Sequence, residues 1–142
     1  MKKGFRILDK LSMADTAFEA KGKDLNEVFE QSALAVESIM VDLKTVSGKV
    51  KTTIELEKAS LETLLYEFLS ELVYLKDAES AVYNKIHVAI TKNKGWLLHA
   101  QMSGGTITKK MKLGTDIKAI TLHEFELVQS KEGWSAQVVV DV

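Results

Sequence analysis

The chain contains no cysteine and no proline, and its 142 residues carry a formal net charge of only −1. The absence of cysteine excludes disulfides, thiolate nucleophiles and zinc sites with cysteine ligands, and it fits a reducing compartment. No apolar run approaches the roughly 20 residues of a membrane-spanning helix, and charges interrupt the amino-terminal segment where a signal peptide would be apolar. The near-neutral balance does not call for a nucleic-acid or membrane partner. The sequence therefore predicts a soluble cytoplasmic protein.

Signatures of several enzyme classes are also missing. Gly104-Gly105 is not followed by the Gly-Lys-Ser/Thr run of a phosphate-binding loop, and no serine stands in a nucleophile-elbow context. The three histidines, His87, His99 and His123, are scattered and do not form a zinc signature. Structural or surface roles are favoured for all three.

What is present is the balance of an ordinary globular domain, with 46% hydrophobic and 27% charged residues. No Gly/Ser-rich linker, internal repeat or low-complexity tract divides the chain. A length of 142 residues suits one domain, which we place at residues 1–142.

Two stretches have helical periodicity. Asp24 and Glu27 have the spacing of a capping box, and apolar residues keep helical spacing from there to Met40. Ser60 is the expected cap of a second helix, whose broad apolar face continues to Leu75 before a polar break at 76–80.

The remaining segments alternate between apolar and polar residues, as strands do. Gly104-Gly105 is expected to break a strand, and 92–95 to form a hairpin turn. The predicted strands are 5–9, 16–20, 50–57, 86–90, 96–102, 117–127 and 134–140. Their order around the helices predicts a two-layer α+β domain with a mixed β-sheet packed by two main helices.

Five blocks of the sequence, in order, resemble the archease family. Ala14-Asp15 precedes a strand ending in Gly22, two blocks match the family's helices, and 114–123 precedes a terminal Val-Val-Val-Asp-Val. The blocks are 5–22, 24–30, 64–75, 114–123 and 138–142. Lys10 replaces a histidine that is frequent in the family, and the loop before Asp15 is about two residues longer.

The resemblance implies a divalent-cation site formed by Asp15, Asp141 and an oxygen of Val142. Carboxylate and carbonyl oxygens suit hard cations, with Ca²⁺ favoured and Mg²⁺ or Mn²⁺ as alternatives. Without the resemblance, Asp15 reads as a solvated turn residue and Asp141 as part of a frayed terminus.

The resemblance also assigns Lys118 to partner activation, where an outward-facing strand lysine is the equally weighted alternative. Asp9 and His123 are weaker candidates for supporting the site. The basic run 109–112 could touch RNA phosphate, but it has no interleaved aromatic residues, so a solvated loop is favoured and RNA contact is expected only indirectly.

The expected function is that of a non-catalytic accessory protein. Archeases promote guanylylation and multiple turnover of the GTP-dependent tRNA-splicing RNA ligase. Two alternatives stay open: a chaperone or specificity factor for a tRNA methyltransferase, and a metal-dependent phosphohydrolase, which is disfavoured by the shortage of ligands and of an obvious general base.

Overall fold

The computed structural model describes residues 2–8 and 14–142, and their backbone forms two helices and eight strands. In chain order these are β1 (Gly4–Ile7), β2 (Asp15–Gly22), α1 (Leu25–Met40), β3 (Val50–Lys58), α2 (Leu61–Glu79), β4 (Ala81–Lys92), β5 (Trp96–Thr106), β6 (Ala119–Ile120), β7 (Glu126–Ser130) and β8 (Gly133–Asp141). A short 3₁₀ helix, Leu43–Thr45, follows α1. None of the helices in the described part of the chain is long and apolar enough to cross a membrane.

The strands form two sheets in place of the predicted single mixed sheet. One has the order β1-β2-β8-β6, with β7 also paired to β8, and the other has the order β3-β5-β4. Every pairing among the described strands is antiparallel. Helix α2 does join two strands that run in the same direction, β3 and β4, but β5 lies between them and pairs antiparallel with both. No parallel ladder forms for that reason, whereas the α+β class with two main helices is confirmed.

Both predicted helix starts are present. The Asp24 side chain accepts a hydrogen bond from the Glu27 N–H at 2.9 Å, and the Glu27 carboxylate accepts one from the Lys23 N–H at 3.0 Å. The Ser60 hydroxyl accepts a hydrogen bond from the Thr63 N–H at 3.2 Å. These bonds satisfy amides that have no partner within the first turn of a helix.

Helix α2 ends later than the sequence predicts. It continues through the expected polar break to Glu79, and Ser80 ends it in the left-handed conformation at φ 53°. Polar residues are compatible with the last turn because only one side of it faces the core, and Lys76 also lies close to the favourable negative end of the helix dipole.

One continuous hydrophobic core connects the helices to both sheets. Its members include Phe18 and Val140 from the larger sheet, Phe29 and Phe68 from the helices, and Leu98 from the smaller sheet, each fully buried. Helix α1 contacts β1, β2, β4 and β8, so it bridges the two sheets.

Two strand predictions were wrong. Strand β5 runs through Gly104 and Gly105 without a break. Added Cβ atoms at these two positions would lie 1.9 Å from the carbonyl oxygens of Val82 and Ser47. These glycines therefore permit close backbone approach. The predicted strand 117–127 is instead two short strands, β6 and β7, separated by a turn in which Glu124 has φ 50°.

Candidate metal and partner site

Asp15 and Asp141 lie directly opposite each other on adjacent strands of the larger sheet. Asp15 is the first residue of β2 and Asp141 the last of β8, and the two are register partners. Their neighbours Thr16 and Val140 are also partners, and Val140 points into the core. Because side chains alternate along a strand, Asp15 and Asp141 both project from the outer face of the sheet.

The hydrogen-bond pattern brings these side chains close. The Val142 N–H donates to the Ala14 carbonyl at 2.9 Å, which makes Ala14 and Val142 a hydrogen-bonded pair. The next pair, Asp15 and Asp141, is therefore a non-hydrogen-bonded pair, in which the Cα atoms are only about 4.5 Å apart and the side chains are closest. Each aspartate is half-buried. The two carboxylates thus share one partly shielded position on the sheet surface.

Strand β6 fixes Asp141 from its other side. Ala119 is the register partner of Asp141, and the Lys118 N–H donates to the Asp141 carbonyl at 2.8 Å. Asp141 is held between two strands. The alternative interpretation of this residue, as part of a frayed terminus, is therefore wrong. Val142 follows in the same ladder and packs partly against the core.

The backbone of Lys118 contacts Asp141, but the Lys118 side chain belongs to a groove and not to the aspartate pair. It is exposed and, with Ala119 and Ile120, lines a groove of about 270 Å³ between β6 and helix α2. Tyr74 and Asp77 lie on the helix side of this groove. A partner protein that contacts both the aspartate pair and the groove would cover this end of the larger sheet.

Of the two weaker candidates, the structure describes only His123, and it does not bring this residue into the aspartate pair. Asp9, like Lys10, lies outside the described residues. His123 is exposed in the turn after β6, where its N–H donates to the Thr121 hydroxyl at 3.3 Å. Its imidazole makes no hydrogen bond with any residue that the structure describes, so the expected structural hydrogen bond is absent there.

The donor chemistry of the pair fits a hard divalent cation. Like charges directly opposite on adjacent strands destabilise a sheet, and a cation between them would remove the repulsion. Ca²⁺ takes about 6–8 oxygen ligands. Within residues 2–8 and 14–142, no group of three or more histidines or carboxylates is placed to hold a metal ion. A cation here would depend on main-chain oxygens, water or groups from a partner to complete its coordination.

Lys76 was not singled out from the sequence, yet it organises the segment that leads to Lys118. Its ammonium group forms ion pairs with Asp116 and with Asp77, the latter at 2.5 Å, and approaches the Ile117 carbonyl at 3.5 Å. Burial disfavours the charged ammonium, but the hydrogen bonds to Asp116 and Asp77 outweigh it, and the pKa of Lys76 is raised. Lys76 was missed because it fell in the predicted polar break of α2.

The same segment is attached to the end of helix α1. The Gly114 and Thr115 N–H groups donate to the carbonyls of Met40 and Ile39, at 2.9 and 2.8 Å. These carbonyls lie in the last turn of α1 and have no acceptor role within the helix. Segment 114–118 is therefore fixed at both ends although it contains no regular secondary structure.

The sequence has relatives along almost its whole length. Residues 5–142 match the model of the archease protein family (MTH1598/TM1083). The chain is 38% identical to the archease of Methanosarcina barkeri over 132 residues, covering 91% of this chain and 90% of that protein. It is 34% identical to the archease of Archaeoglobus fulgidus, covering 97% and 98% of the two chains.

Solved structures agree with this relationship. The solution structure of Methanobacterium thermoautotrophicum protein 1598 superposes with a TM-score of 0.85 at 32% identity, over 98% of this chain and 99% of that one. The crystal structure of a Thermotoga maritima archease, described as a possible chaperone, has a TM-score of 0.58 at 17% identity, over 96% and 97% of the chains, and supports the fold alone. This chain belongs to the archease family.

Proposed function

We propose that this protein is a non-catalytic activator of the GTP-dependent tRNA-splicing RNA ligase, which promotes guanylylation and repeated turnover of the ligase in the cytoplasm. The observation that supports this most directly is the placement of Asp15 opposite Asp141 in a close, non-hydrogen-bonded pair. The two residues are separated by most of the chain in sequence. Their juxtaposition at one end of a sheet makes a site that a partner can cover.

In this proposal Asp15, Asp141 and an oxygen of Val142 hold the cation, with Ca²⁺ favoured. A bound divalent cation would supply positive charge to phosphoryl groups presented by the ligase. The protein's own residues hold the two carboxylates in register and keep Asp141, on β8, fixed between β2 on one side and β6 on the other. Because the coordination sphere is incomplete, groups from the ligase would complete it.

Lys118 would contact the ligase beside this site. It is exposed, and the segment before it is held by the Lys76–Asp116 ion pair. A lysine ammonium is a compact charge that suits a phosphate or carboxylate on a partner. The groove next to it contributes Tyr74, whose side chain is 60% exposed, as an apolar contact for the same partner.

The test is ligase guanylylation under multiple-turnover conditions, with the wild-type protein, with Asp141→Asn, and with neither. Asp141→Asn keeps the shape of the side chain and removes its charge. We expect the wild type to stimulate the ligase and the variant to lose roughly 10-fold or more of that stimulation, since even residues that only support metal ligands have effects of that size.

Glu126→Gln is the matched control. Glu126 is an exposed carboxylate on the outer face of the same sheet, opposite Gln137 and away from Asp15. The Glu126→Gln protein should stimulate ligase guanylylation as strongly as the wild type does. If Asp141→Asn stimulates as well as the wild type, the partner is retained and the metal site is wrong. If folded wild-type protein does not stimulate its cognate ligase, the proposed function is wrong.

A chaperone or specificity factor for a tRNA methyltransferase is the second candidate. It is favoured by the exposed apolar side chains at this end of the molecule, Tyr74 at 60% and Leu122 at 67% exposure, and by the Thermotoga relative being described as a possible chaperone. Copurification with such an enzyme, unaffected by Asp141→Asn, would support it.

A further inference from the structure

The outer face of the three-stranded sheet carries a row of two lysines with a serine between them. Lys51 on β3 and Lys85 on β4 are both register partners of Ser103 on β5. Residues in one such row project from the same face, and neighbouring strands are about 4.8 Å apart. The two lysines therefore flank the Ser103 hydroxyl from either side. Both lysines are exposed.

A β-bulge places Lys85 in this row. Tyr83 pairs with Gly104 and faces the core, but the next pair is Lys85 with Ser103, so Asn84 is the extra residue. If the strand alternated regularly and had no bulge, Asn84 would face outward and Lys85 would face the core. Bulges re-aim side chains in this way and are frequent beside functional sites.

Several contacts hold the bulge in place. The Glu37 carboxyl accepts the Tyr83 N–H at 2.9 Å, and the Asn84 amide donates to the carbonyls of Leu43 and Val46, at 3.4 and 3.2 Å. Gly104 leaves room for the close approach of Val82. The position of Lys85 is thus determined by the fold and is not the result of simple alternation.

The charges around this row favour an anion. The next row toward the β4–β5 hairpin contains Thr53, Gln101 and His87, so neither row has an acidic residue of its own. Lys51 and Lys85 form no ion pair with any residue in the described part of the chain, although Glu30 on α1 lies 3.4 Å from the His87 ring. A hollow of about 500 Å³ lies over the two rows.

We propose that this face binds the phosphate groups of single-stranded RNA, without reading its bases. Each of the two ammonium groups can pair with one phosphate of the strand, and the hydroxyl between them can donate to either phosphate; lysine is a common phosphate ligand. The outward-facing residues of β3, β4 and β5 include no Phe, Tyr or Trp, so the large aromatic platforms that single-strand-binding proteins offer to bases are missing from this face. The row is too short for a duplex, whose recognition domains span about 16 base pairs.

This proposal does not depend on the metal site or on the ligase. The sequence indicated only indirect RNA contact because its run 109–112 has no interleaved aromatic residues and the net charge is near zero. Lys51 and Lys85 are 34 positions apart, so the sequence alone does not show that they share a row. The densest basic feature of the sequence, the run 109–112, lies in a loop after β5 and is a separate candidate.

The experiment is a titration of the full chain with a fluorescein-labelled decauridylate, followed by fluorescence anisotropy at several salt concentrations. With about two phosphates neutralised, log affinity should fall with log salt with a slope of about −1.4, which is roughly 7-fold between 50 and 200 mM salt. Lys85→Gln should reduce the slope to about −0.7, and Lys51→Gln/Lys85→Gln should abolish measurable binding.

The matched control is Lys109→Gln/Lys110→Gln, which removes the same charge from the exposed basic loop. It should bind RNA like the wild type, as should Asp141→Asn. Thermal melts of all variants establish that they are folded, as is expected of surface substitutions.

The proposal would be overturned if Lys51→Gln/Lys85→Gln and Lys109→Gln/Lys110→Gln lost RNA binding equally, or if only the second variant lost it. A wild-type chain that does not bind decauridylate, or one that binds a polyglutamate of equal charge equally well, would also overturn it. Loss of ligase stimulation without loss of RNA binding would concern the metal site alone.

Discussion

Glu37 is a fully buried carboxyl group on helix α1, and it is the residue whose protonation the fold controls most strongly. One of its oxygens accepts the Tyr83 N–H, whereas Oε2 has no hydrogen-bond partner among the described residues. Burial raises the pKa of Glu37 to about 8, against the opposing effects of that hydrogen bond and of the Lys76 charge. The folded protein therefore holds this group neutral at physiological pH.

The raised pKa makes stability depend on pH in a defined direction. The folded state retains a proton that the unfolded chain, with a pKa of 4.5, releases. The stabilisation is complete below pH 4.5 and is lost progressively as the pH rises to about 8. A shift of this size corresponds to an energy on the order of 4–5 kcal/mol.

Replacing Glu37 with glutamine should remove this dependence, because glutamine is neutral at every pH and can still accept the Tyr83 N–H. Urea unfolding should give the two proteins similar free energies of unfolding at pH 5 and a more stable variant at pH 9. Glu37→Ala should be destabilised at both pH values, by about 2–4 kcal/mol, through the unpaired N–H and the cavity. Parallel pH curves for wild type and Glu37→Gln would contradict this account.

Sequence reasoning missed Glu37 for a simple reason. When a helix is predicted from the spacing of apolar residues, charged residues are assigned to its exposed face. Glu37 follows the apolar Val36, and nothing in the sequence indicates that it also faces inward. Its burial and the hydrogen bond that it accepts from Tyr83 on β4 are tertiary features, and no local sequence pattern indicates them. Asp15 and Asp141 were found only through family resemblance, since nothing in either segment specifies that β2 pairs with β8 in this register.

At the level of elements, helix α1 protects the edge of the smaller sheet. Asn26, Glu30 and Glu37 accept the N–H groups of Ile90, Val88 and Tyr83, at 2.9, 2.8 and 2.9 Å. The intervals of four and seven residues place the three side chains on one side of the helix. Strand β4 would otherwise present unpaired amides, which promote aggregation.

The pair Gly104-Gly105 allows β5 to pass close to β4 and to the loop after α1. Gly104→Ala should destabilise the protein by more than about 2 kcal/mol, because its Cβ would lie 1.9 Å from the Val82 carbonyl oxygen and 2.7 Å from the Tyr83 Cα. Gly4→Ala is the control, since among the described residues, apart from the neighbours of Gly4 in the chain, no atom lies within 4 Å of a Cβ there. Chemical denaturation of both variants checks this, and a Gly104→Ala protein as stable as Gly4→Ala would show that the strands can separate without penalty.

Elements with local signals were predictable, and those that depend on distant pairing were not. Asp24, Ser60 and the turn 92–95 carry their own capping or turn chemistry, and all three were confirmed. The end of α2, the continuity of β5 and the division of 117–127 into two strands depend on packing against remote segments. Tertiary contacts override local preference in these places.

For the molecule as a whole, the aspartate pair joins strands from opposite ends of the sequence. Residues 15 and 141 meet at one end of the larger sheet, and β8 pairs with β2, β6 and β7. A cation held by both carboxylates would bind the folded chain and not the unfolded one, so it would stabilise the fold as a unit. In the absence of a cation, the repulsion between two like charges placed opposite each other has the reverse effect on stability.

These two effects predict that Asp141→Asn raises the stability of the protein without metal and lowers it, relative to the wild type, when metal is bound. In EDTA the variant should be more stable than the wild type by up to about 1 kcal/mol, because the repulsion between opposite aspartates is removed. With Ca²⁺ at 100 times its dissociation constant, the wild type should gain about 2.7 kcal/mol, which the variant should not. For a chain of this size the gain corresponds to a rise in Tm of roughly 5–15 °C. Calorimetric scans of both proteins with EDTA, Ca²⁺ and Mg²⁺ test this, and Glu126→Gln should follow the wild type. If the two proteins keep the same order of stability in EDTA and in Ca²⁺, the carboxylates do not form a cation site in the free protein. Any metal would then bind only when the ligase supplies the missing ligands.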